Sequence, residues 1–168
     1  MNFIFVPPDE CVMQKDAVIL IAGSLNPITK GHIAMAEAAY AFVTNNLQRN
    51  VKQILLLPSN ETYPYKHLES NAHRAKMINL AIQHSQLKDL ISLEDQDLRH
   101  PAWRPTAESI KELKHKQHND YDIFMVSGSD QLKFMCTPKW SPENIDDMLN
   151  DCSLIVFERL EGAGAVEN

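Results

Sequence analysis

Short apolar runs alternate along the chain with segments in which apolar residues recur every three or four positions. Such runs are typical of strands buried on both faces of a parallel sheet, and the spaced segments are typical of helices with one apolar face. The runs predict strands at residues 17–22, 54–57, 91–93, 122–126 and 154–157. The spaced segments predict helices at residues 31–46, 71–85, 106–117 and 142–149. Strands and helices in alternation indicate an α/β domain with a central parallel sheet of about five strands.

Length and composition place the chain among ordinary globular proteins. Its 168 residues are 44% hydrophobic and 23% charged, so we expect a single domain over residues 1–160 and a flexible tail over residues 161–168. The net charge of −6 argues against a broad surface for nucleic acid or membranes. No apolar run approaches the ~20 residues that span a bilayer, and the first residues do not fit a secretory signal. These features predict an intracellular protein, cytoplasmic or nuclear, that binds neither nucleic acid nor membranes.

The three cysteines, Cys11, Cys136 and Cys152, are scattered and lack the CxxC spacing of zinc sites and redox motifs. Such scattered cysteines are typical of reduced thiols inside cells rather than of a disulfide framework. We therefore expect structural thiols and assign no residue of the chain as a metal ligand.

Residues that interrupt the apolar pattern follow four of the predicted strands, at 23–24, 59–70, 100–106 and 127–130. Ligands of open α/β sheets bind beyond the carboxyl ends of the strands. The segment at 59–70 is also long for a loop in a compact domain, and such loops are often functional. The sequence therefore predicts one ligand site spread along this edge of the sheet.

The segment GSLNPITKGH, residues 23–32, ends the first predicted strand and begins the first predicted helix. Backbone amides in the turn and the positive end of the helix are suited to bind a phosphate. Thr29 and His32 are three residues apart, so both could face one phosphate at a helix start. The simpler interpretation is that Thr29 caps the helix and His32 is only a polar residue.

These residues resemble the GSFNPxTxxH signature of the eukaryotic-type nicotinamide/nicotinate mononucleotide adenylyltransferases, within the nucleotidyltransferase superfamily. Leu25 stands where that family usually has Phe. Residues 58–74 are similar to PxGDAYxKKGLxxxxHR, although Tyr65 replaces a lysine. The resemblance continues in HPAWRPT (100–106, similar to EWxxT), SGSD (127–130, similar to SGAD) and PKWSPENID (138–146, similar to NLWxxEDI).

The resemblance implies a Rossmann-like nucleotidyltransferase fold that transfers an adenylyl group from ATP to nicotinamide or nicotinate mononucleotide. The products would be NAD or its deamido form and pyrophosphate, and Mg²⁺ would accompany ATP. The partners expected are ATP, the mononucleotide and the NAD product, with a homo-oligomer left open. The resemblance assigns phosphate chemistry to His32 and Lys66. It assigns the ATP side to Gly23, Ser24, Thr29, Gly128 and Asp130, and the pyridine nucleotide to Tyr63, Trp103, Thr106 and Trp140.

Two further hypotheses stay open at this stage. Family members continue through an ISSTxxR motif that binds the ATP phosphates, and no such motif occurs in this chain. A truncated isoform or regulatory protein that binds nucleotides without turnover would also fit. Transfer of a cytidylyl or adenylyl group to another phosphate acceptor shares the first motif, but it does not explain the segments around Trp103 and Trp140.

Overall fold

A computed structural model describes residues 3–6, 16–116, 120–137 and 139–158 of the chain. The strands are β1 (Phe3–Val6), β2 (Asp16–Gly23), β3 (Val51–Pro58), β4 (Ile91–Leu93), β5 (Tyr121–Gly128) and β6 (Cys152–Phe157). The helices are α1 (Lys30–Asn45), α2 (Asn71–Gln83), α3 (Gln96–Arg99), α4 (Thr106–Lys116), α5 (Ser129–Met135) and α6 (Pro142–Asp151). The expected tail over residues 161–168 lies outside the described residues.

One six-stranded sheet has the order β1-β6-β5-β2-β3-β4. Strands β2 to β6 run parallel, which confirms the predicted parallel sheet of five strands. β1 is an addition, since it pairs antiparallel with β6 at the edge of the sheet. The short helices α3 and α5 were also not predicted, because four and seven residues are too few to show a helical repeat.

The core lies on both faces of the sheet, and strand β2 contributes to both. Ile19 and Ile21 pack in the cluster that includes residues of α1 and α2, whereas Val18 and Leu20 pack in the cluster that includes residues of α4. All four side chains are at most 2% exposed. The alternation follows from the two-residue period of a strand, and it explains why the run at 17–22 is continuously apolar.

The order of the strands reverses direction beside β2. From β2 the chain passes through α1 to β3 and then through α2 to β4, whereas α4 returns it to β5 on the other side of β2. The loops after β2 and β5 therefore diverge at neighbouring carboxyl ends. In open α/β sheets this switch point is where ligands bind.

None of the helices in the described ranges is long and apolar enough to cross a membrane. Of the predicted structural thiols, Cys136 is free and exposed and Cys152 is free and buried, while Cys11 lies outside the described residues. Burial raises the pKa of the Cys152 thiol to about 12, so this thiol stays protonated near neutral pH.

Candidate active site

Two adjoining cavities open at the carboxyl edge of the sheet. The smaller has a volume of about 260 Å³ and is called here the aromatic cavity. The larger, of about 740 Å³, contains the start of α1 and is called the helix-start cavity. Gly23, Ser24, Asp130 and Gln131 line both, so the end of β2 and the start of α5 form a wall common to the two cavities.

Aromatic side chains from three segments line the aromatic cavity. They are Tyr63 and Tyr65 after β3, Trp103 after α3, and Phe134 and Trp140 from α5 and the segment after it. The ring centroids of Tyr63 and Trp103 are 5.6 Å apart and those of Tyr63 and Tyr65 are 5.3 Å apart, in edge-to-face pairs. Burial raises the pKa of the Tyr63 phenol, so it remains a neutral hydrogen-bonding group. The cavity thus offers flat apolar surfaces to a planar ligand.

The position of Trp103 is fixed by hydrogen bonds that join the loop after β3 to the loop after α3. The buried Asn60 amide donates to the carbonyl oxygens of Asp97 (2.9 Å) and His100 (2.8 Å). Asn60 Oδ1 accepts hydrogen bonds from the backbone and the hydroxyl of Thr62, both at 2.9 Å. Thr62 Oγ1 in turn accepts the Trp103 backbone N–H at 2.7 Å. Trp103 is therefore held by its backbone, which leaves its ring at the cavity.

The buried carboxylate of Asp97 also helps to fix the loop that carries Trp103. The Asp97 carboxylate accepts the Ser109 hydroxyl at 2.8 and 2.9 Å and Arg104 Nε at 2.9 Å. Arg104 Nη1 also lies 2.5 Å from Glu112 Oε2 on α4. Arg104 is next to Trp103 and its partner Glu112 lies on α4, so the paired charges fix Trp103 relative to α4. Asp97 is 6% exposed, and both of its carboxylate oxygens accept hydrogen bonds, as expected for a buried charge.

Arg74 on α2 is a site residue to which the sequence analysis gave no role beyond a motif. Its side chain is fully buried, and burial lowers the pKa of its guanidinium. The guanidinium donates to the carbonyl oxygens of Ser24 (2.7 Å), Ser59 (2.6 Å) and Glu69 (2.9 Å), and to Asn71 Oδ1 (2.8 Å). It thereby ties the loop after β2 to the loop after β3. Ser24 and Ser59 both line the aromatic cavity, so Arg74 holds its wall from behind.

The helix-start cavity contains a histidine of defined tautomer. Thr29 is the N-cap residue of α1, and its backbone N–H donates to His32 Nδ1 at 3.0 Å. Thr29 Oγ1 lies 2.8 Å from the same nitrogen. Because Nδ1 accepts the backbone N–H, a neutral ring carries its proton on Nε2. Thr29 and His32 are thus joined across the first turn of α1 through Nδ1, and the roles predicted for the two residues stay predictions.

Two glycines, Gly23 and Gly128, are part of the cavity walls. A Cβ added at Gly23 would meet nothing within 4 Å, so the space beside this residue is open to a bound molecule. A Cβ at Gly128 would lie 2.5 Å from Asp130 Oδ1, so any side chain there would displace the Asp130 carboxylate. Ser127 lines the helix-start cavity, and its buried hydroxyl has no hydrogen-bond partner among the described residues. The sequence pattern alone does not indicate a role for Ser127.

The two cavities differ in charge. The aromatic cavity is lined by Lys66 and Lys139, with Asp130 on the shared wall. The helix-start cavity is lined by Asp130, Glu158 and His32, and no lysine or arginine is among its described lining residues.

Every residue predicted for the site lines at least one cavity, although the roles assigned to them stay predictions. Gly23, Ser24 and Asp130 line both, and the helix-start cavity adds Thr29, His32 and Gly128. The aromatic cavity adds Tyr63, Lys66, Trp103, Thr106 and Trp140. The two residues predicted for phosphate chemistry, His32 and Lys66, therefore stand on opposite sides of the shared wall.

The junction between β2 and α1 at residues 23–32, on a parallel sheet, is typical of nucleotidyltransferases. The chain belongs to the cytidylyltransferase-like family, whose model matches residues 20–163, and this confirms the predicted superfamily. The chain is similar to "Probable nicotinate-nucleotide adenylyltransferase" of Synechococcus sp. (strain JA-3-3Ab), with 28% identity over 96% of this chain and 70% of that protein. It is 27% identical to the nicotinamide/nicotinic acid mononucleotide adenylyltransferase of Arabidopsis thaliana, over 86% of this chain and 63% of that protein.

Among solved structures, a Plasmodium falciparum nicotinic acid mononucleotide adenylyltransferase complexed with APC has a similar fold. The TM-score is 0.66 at 23% identity, over 90% of this chain and 67% of that chain. This likeness confirms the predicted Rossmann-like fold. The chain spans about two thirds of the length of these relatives.

Proposed function

We propose that the protein transfers an adenylyl group from ATP to nicotinate or nicotinamide mononucleotide, forming deamido-NAD or NAD and pyrophosphate. The observation that carries the proposal is the wall common to the two cavities. Gly23, Ser24, Asp130 and Gln131 line both cavities, which supports the proposal that the two substrates meet at the end of β2. The names of the relatives support the choice of substrates.

The aromatic cavity is the proposed site of the mononucleotide. Its volume of about 260 Å³ suits a small ligand, and Trp103 and Trp140 offer ring faces to a pyridine. Thr106 is proposed to contact the ribose, and Lys66 to attract the 5′-phosphate. Tyr63 contributes a protonated phenol beside the ring.

The helix-start cavity is the proposed site of ATP. The start of α1 supplies a positive helix terminus, and His32 is proposed to donate from Nε2 to the α-phosphate. Thr29 orients that histidine through the hydrogen bond to Nδ1. Gly128 and Asp130 are proposed to contact the nucleoside, because a carboxylate accepts hydrogen bonds from ribose hydroxyls.

The proposed reaction is an in-line displacement at phosphorus. An oxygen of the mononucleotide 5′-phosphate attacks the α-phosphorus of ATP, a new phosphoanhydride bond forms, the bond between the α- and β-phosphates breaks, and pyrophosphate leaves. The attacking phosphate is already anionic, so no protein base or nucleophile is needed. The protein contributes orientation of the two substrates and stabilisation of charge at the α-phosphate.

Mg²⁺ is proposed to enter with the triphosphate and to offset part of its charge. Within the described part of the chain, no cluster of three or more His, Cys, Asp or Glu side chains could hold a metal ion. Asp130 and Glu158 do line the helix-start cavity. Magnesium bound to nucleotides takes most of its ligands from phosphates and water and only one or two from carboxylates, so these residues fit an ion that arrives with ATP.

The test is to incubate the purified protein with MgATP and each mononucleotide, and to quantify dinucleotide by chromatography and pyrophosphate by a coupled assay. In each reaction we expect one pyrophosphate to be released for every dinucleotide formed. The control replaces ATP with CTP, or the mononucleotide with ribose 5-phosphate. Product formed equally well in the controls would favour transfer to another acceptor, and the proposed substrates would be wrong.

A nucleotide-binding protein without turnover is the second candidate. The helix-start cavity favours it, because no lysine or arginine is among its described lining residues to stabilise the charge that develops at the α-phosphate during transfer. Calorimetry separates the candidates. Binding of mononucleotide and ATP without dinucleotide formation would support this second function and contradict the first.

A further inference from the structure

Lys139 lies between two aromatic rings of the aromatic cavity. Its Nζ is 5.1 Å from the centroid of the Tyr65 ring and 5.0 Å from that of the Phe134 ring. These distances are within the range of cation–π contacts, so the two rings, which are 45% and 51% exposed, favour this position of the exposed Lys139 ammonium group. The Tyr65 ring in turn lies 6.1 Å from the Trp103 ring. The ammonium group is therefore one ring away from the proposed pyridine site.

The partners of Lys139 are rings and not carboxylates. Within the described residues Lys139 forms no ion pair, whereas lysines elsewhere, such as Lys114 with Asp151 at 3.1 Å, do so. Its positive charge at the cavity is thus not neutralised by an acidic side chain in contact with it. An ammonium group in this position is available to an anionic ligand and offers up to three donors.

We propose that Lys139 makes the aromatic cavity favour a pyridine ring that bears a carboxylate over one that bears a carboxamide. The preferred acceptor is then nicotinate mononucleotide. This inference rests on the proposed function, because it takes a pyridine mononucleotide as the ligand of the cavity.

The physical reason is the charge of the ring substituent. The two mononucleotides have the same phosphate and ribose, and they differ at neutral pH only in a negative carboxylate against a neutral carboxamide. Hydrogen bonds between an ammonium group and a carboxylate are charge-assisted and stronger than those to a neutral carbonyl. A lysine that instead contacted the 5′-phosphate would stabilise both mononucleotides alike. The ratio between them therefore reports the position of Lys139.

The experiment compares the two mononucleotides in the parent and in three variants. Lys139→Met removes the charge and keeps the length, and Lys139→Arg keeps the charge. Lys88→Met makes the same change at an exposed lysine in the turn between α2 and β4, away from both cavities. Binding is measured by tryptophan fluorescence, because both tryptophans of the chain, Trp103 and Trp140, line the cavity. Turnover is measured in parallel as kcat/KM with MgATP.

We expect the parent and Lys88→Met to bind the nicotinate form more tightly. Lys139→Met should reduce the preference for the nicotinate form by about 10- to 100-fold, the range expected for one charge-assisted contact, and Lys139→Arg should keep most of it. A parent that binds both forms equally or prefers the amide would overturn the inference, and so would an unchanged ratio in Lys139→Met. If the parent turns over neither mononucleotide, the proposed function fails, and the fluorescence ratios still decide the role of Lys139.

Discussion

The aromatic cavity and the helix-start cavity share a wall, but they hold their functional groups in different ways. In the aromatic cavity, side chains from distant loops are fixed by buried polar contacts, with Asn60, Arg74 and Asp97 at their centres. In the helix-start cavity, the functional groups are backbone atoms, the start of α1, and His32, which is oriented by the N-cap residue Thr29. One cavity depends on long-range packing, and the other on a short contiguous segment. Substitutions among the buried contacts around the aromatic cavity should therefore lower the stability of the protein. Substitutions in the helix-start cavity should instead lower turnover.

The largest effect should come from the histidine of the helix-start cavity. His32→Ala removes the proposed donor to the α-phosphate, and loss of one such contact in a transition state costs about 10²- to 10³-fold in kcat. Mononucleotide binding, followed by tryptophan fluorescence, should stay within about twofold because His32 does not line the aromatic cavity. His115→Ala, at the far end of α4, is the matched control. A kcat within twofold of the parent would contradict the role of His32.

The next effect concerns stability. Arg74→Met leaves the carbonyl oxygens of Ser24 and Ser59 without their donor, and an unsatisfied buried polar group costs about 1–3 kcal/mol. We expect a loss of about 2–3 kcal/mol in the free energy of unfolding, measured with urea, and weaker mononucleotide binding. Arg99→Met is the control, because Arg99 pairs with Asp95 on the surface, where ion pairs contribute about 0–1 kcal/mol. Equal losses in the two variants would show that the buried contacts of Arg74 are not important.

A smaller effect should separate the two substrates. Trp103→Ala should raise the KM for mononucleotide roughly tenfold through the loss of a ring face, and the KM for ATP less than twofold. Thr62→Val removes the acceptor of the Trp103 N–H together with the hydroxyl donor to Asn60 Oδ1, and it should act in the same direction, by about two- to tenfold. If both substrates lose affinity equally in Trp103→Ala, the tryptophan is a structural anchor and not a ligand contact.

Two buried serines provide a direct comparison of the two cavities through stability alone. The Ser109 hydroxyl donates to Asp97 beneath the aromatic cavity, whereas the Ser127 hydroxyl at the helix-start cavity has no partner among the described residues. Ser109→Ala should lower the free energy of unfolding by about 1–3 kcal/mol, because a buried carboxylate loses a donor. Ser127→Ala should leave it unchanged or raise it slightly. If Ser127→Ala lost more free energy of unfolding in urea than Ser109→Ala, the proposed difference between the two cavities would be wrong.

The parallel sheet could be predicted because the information is local. The run at 17–22 is apolar at every position, is rich in β-branched residues and ends at a glycine, which is typical of a strand buried on both faces. β1 could not be predicted in this way, since its four residues pair with β6 near the other end of the chain. Leu25 is 2% exposed and has a φ of 41°. A positive φ is uncommon for a leucine, so it could not be predicted from the residue type.

In the candidate site too, residues with local partners could be predicted from the sequence, whereas residues with distant partners could not. The segment at 23–32 predicted Thr29 and His32 because cap, turn and histidine are contiguous. Arg74 and Lys139 received no role of their own, because their partners are carbonyl oxygens and rings from other segments. Ser127 was passed over because an unpaired hydroxyl is a property of packing. Arg159 resembles an arginine at a similar point in the family, with surface charge as an equal explanation, and it lies outside the described residues.

The central claim is that an acceptor in the aromatic cavity meets the α-phosphate of ATP in the helix-start cavity. The most direct measurement supplies the protein with nicotinate mononucleotide and ATP labelled at either the α- or the γ-phosphate. The account predicts that α-label appears in the dinucleotide and γ-label in pyrophosphate, and that both appearances slow by about 10²- to 10³-fold in His32→Ala. Label released as inorganic phosphate, or no labelled dinucleotide from either ATP, would contradict it.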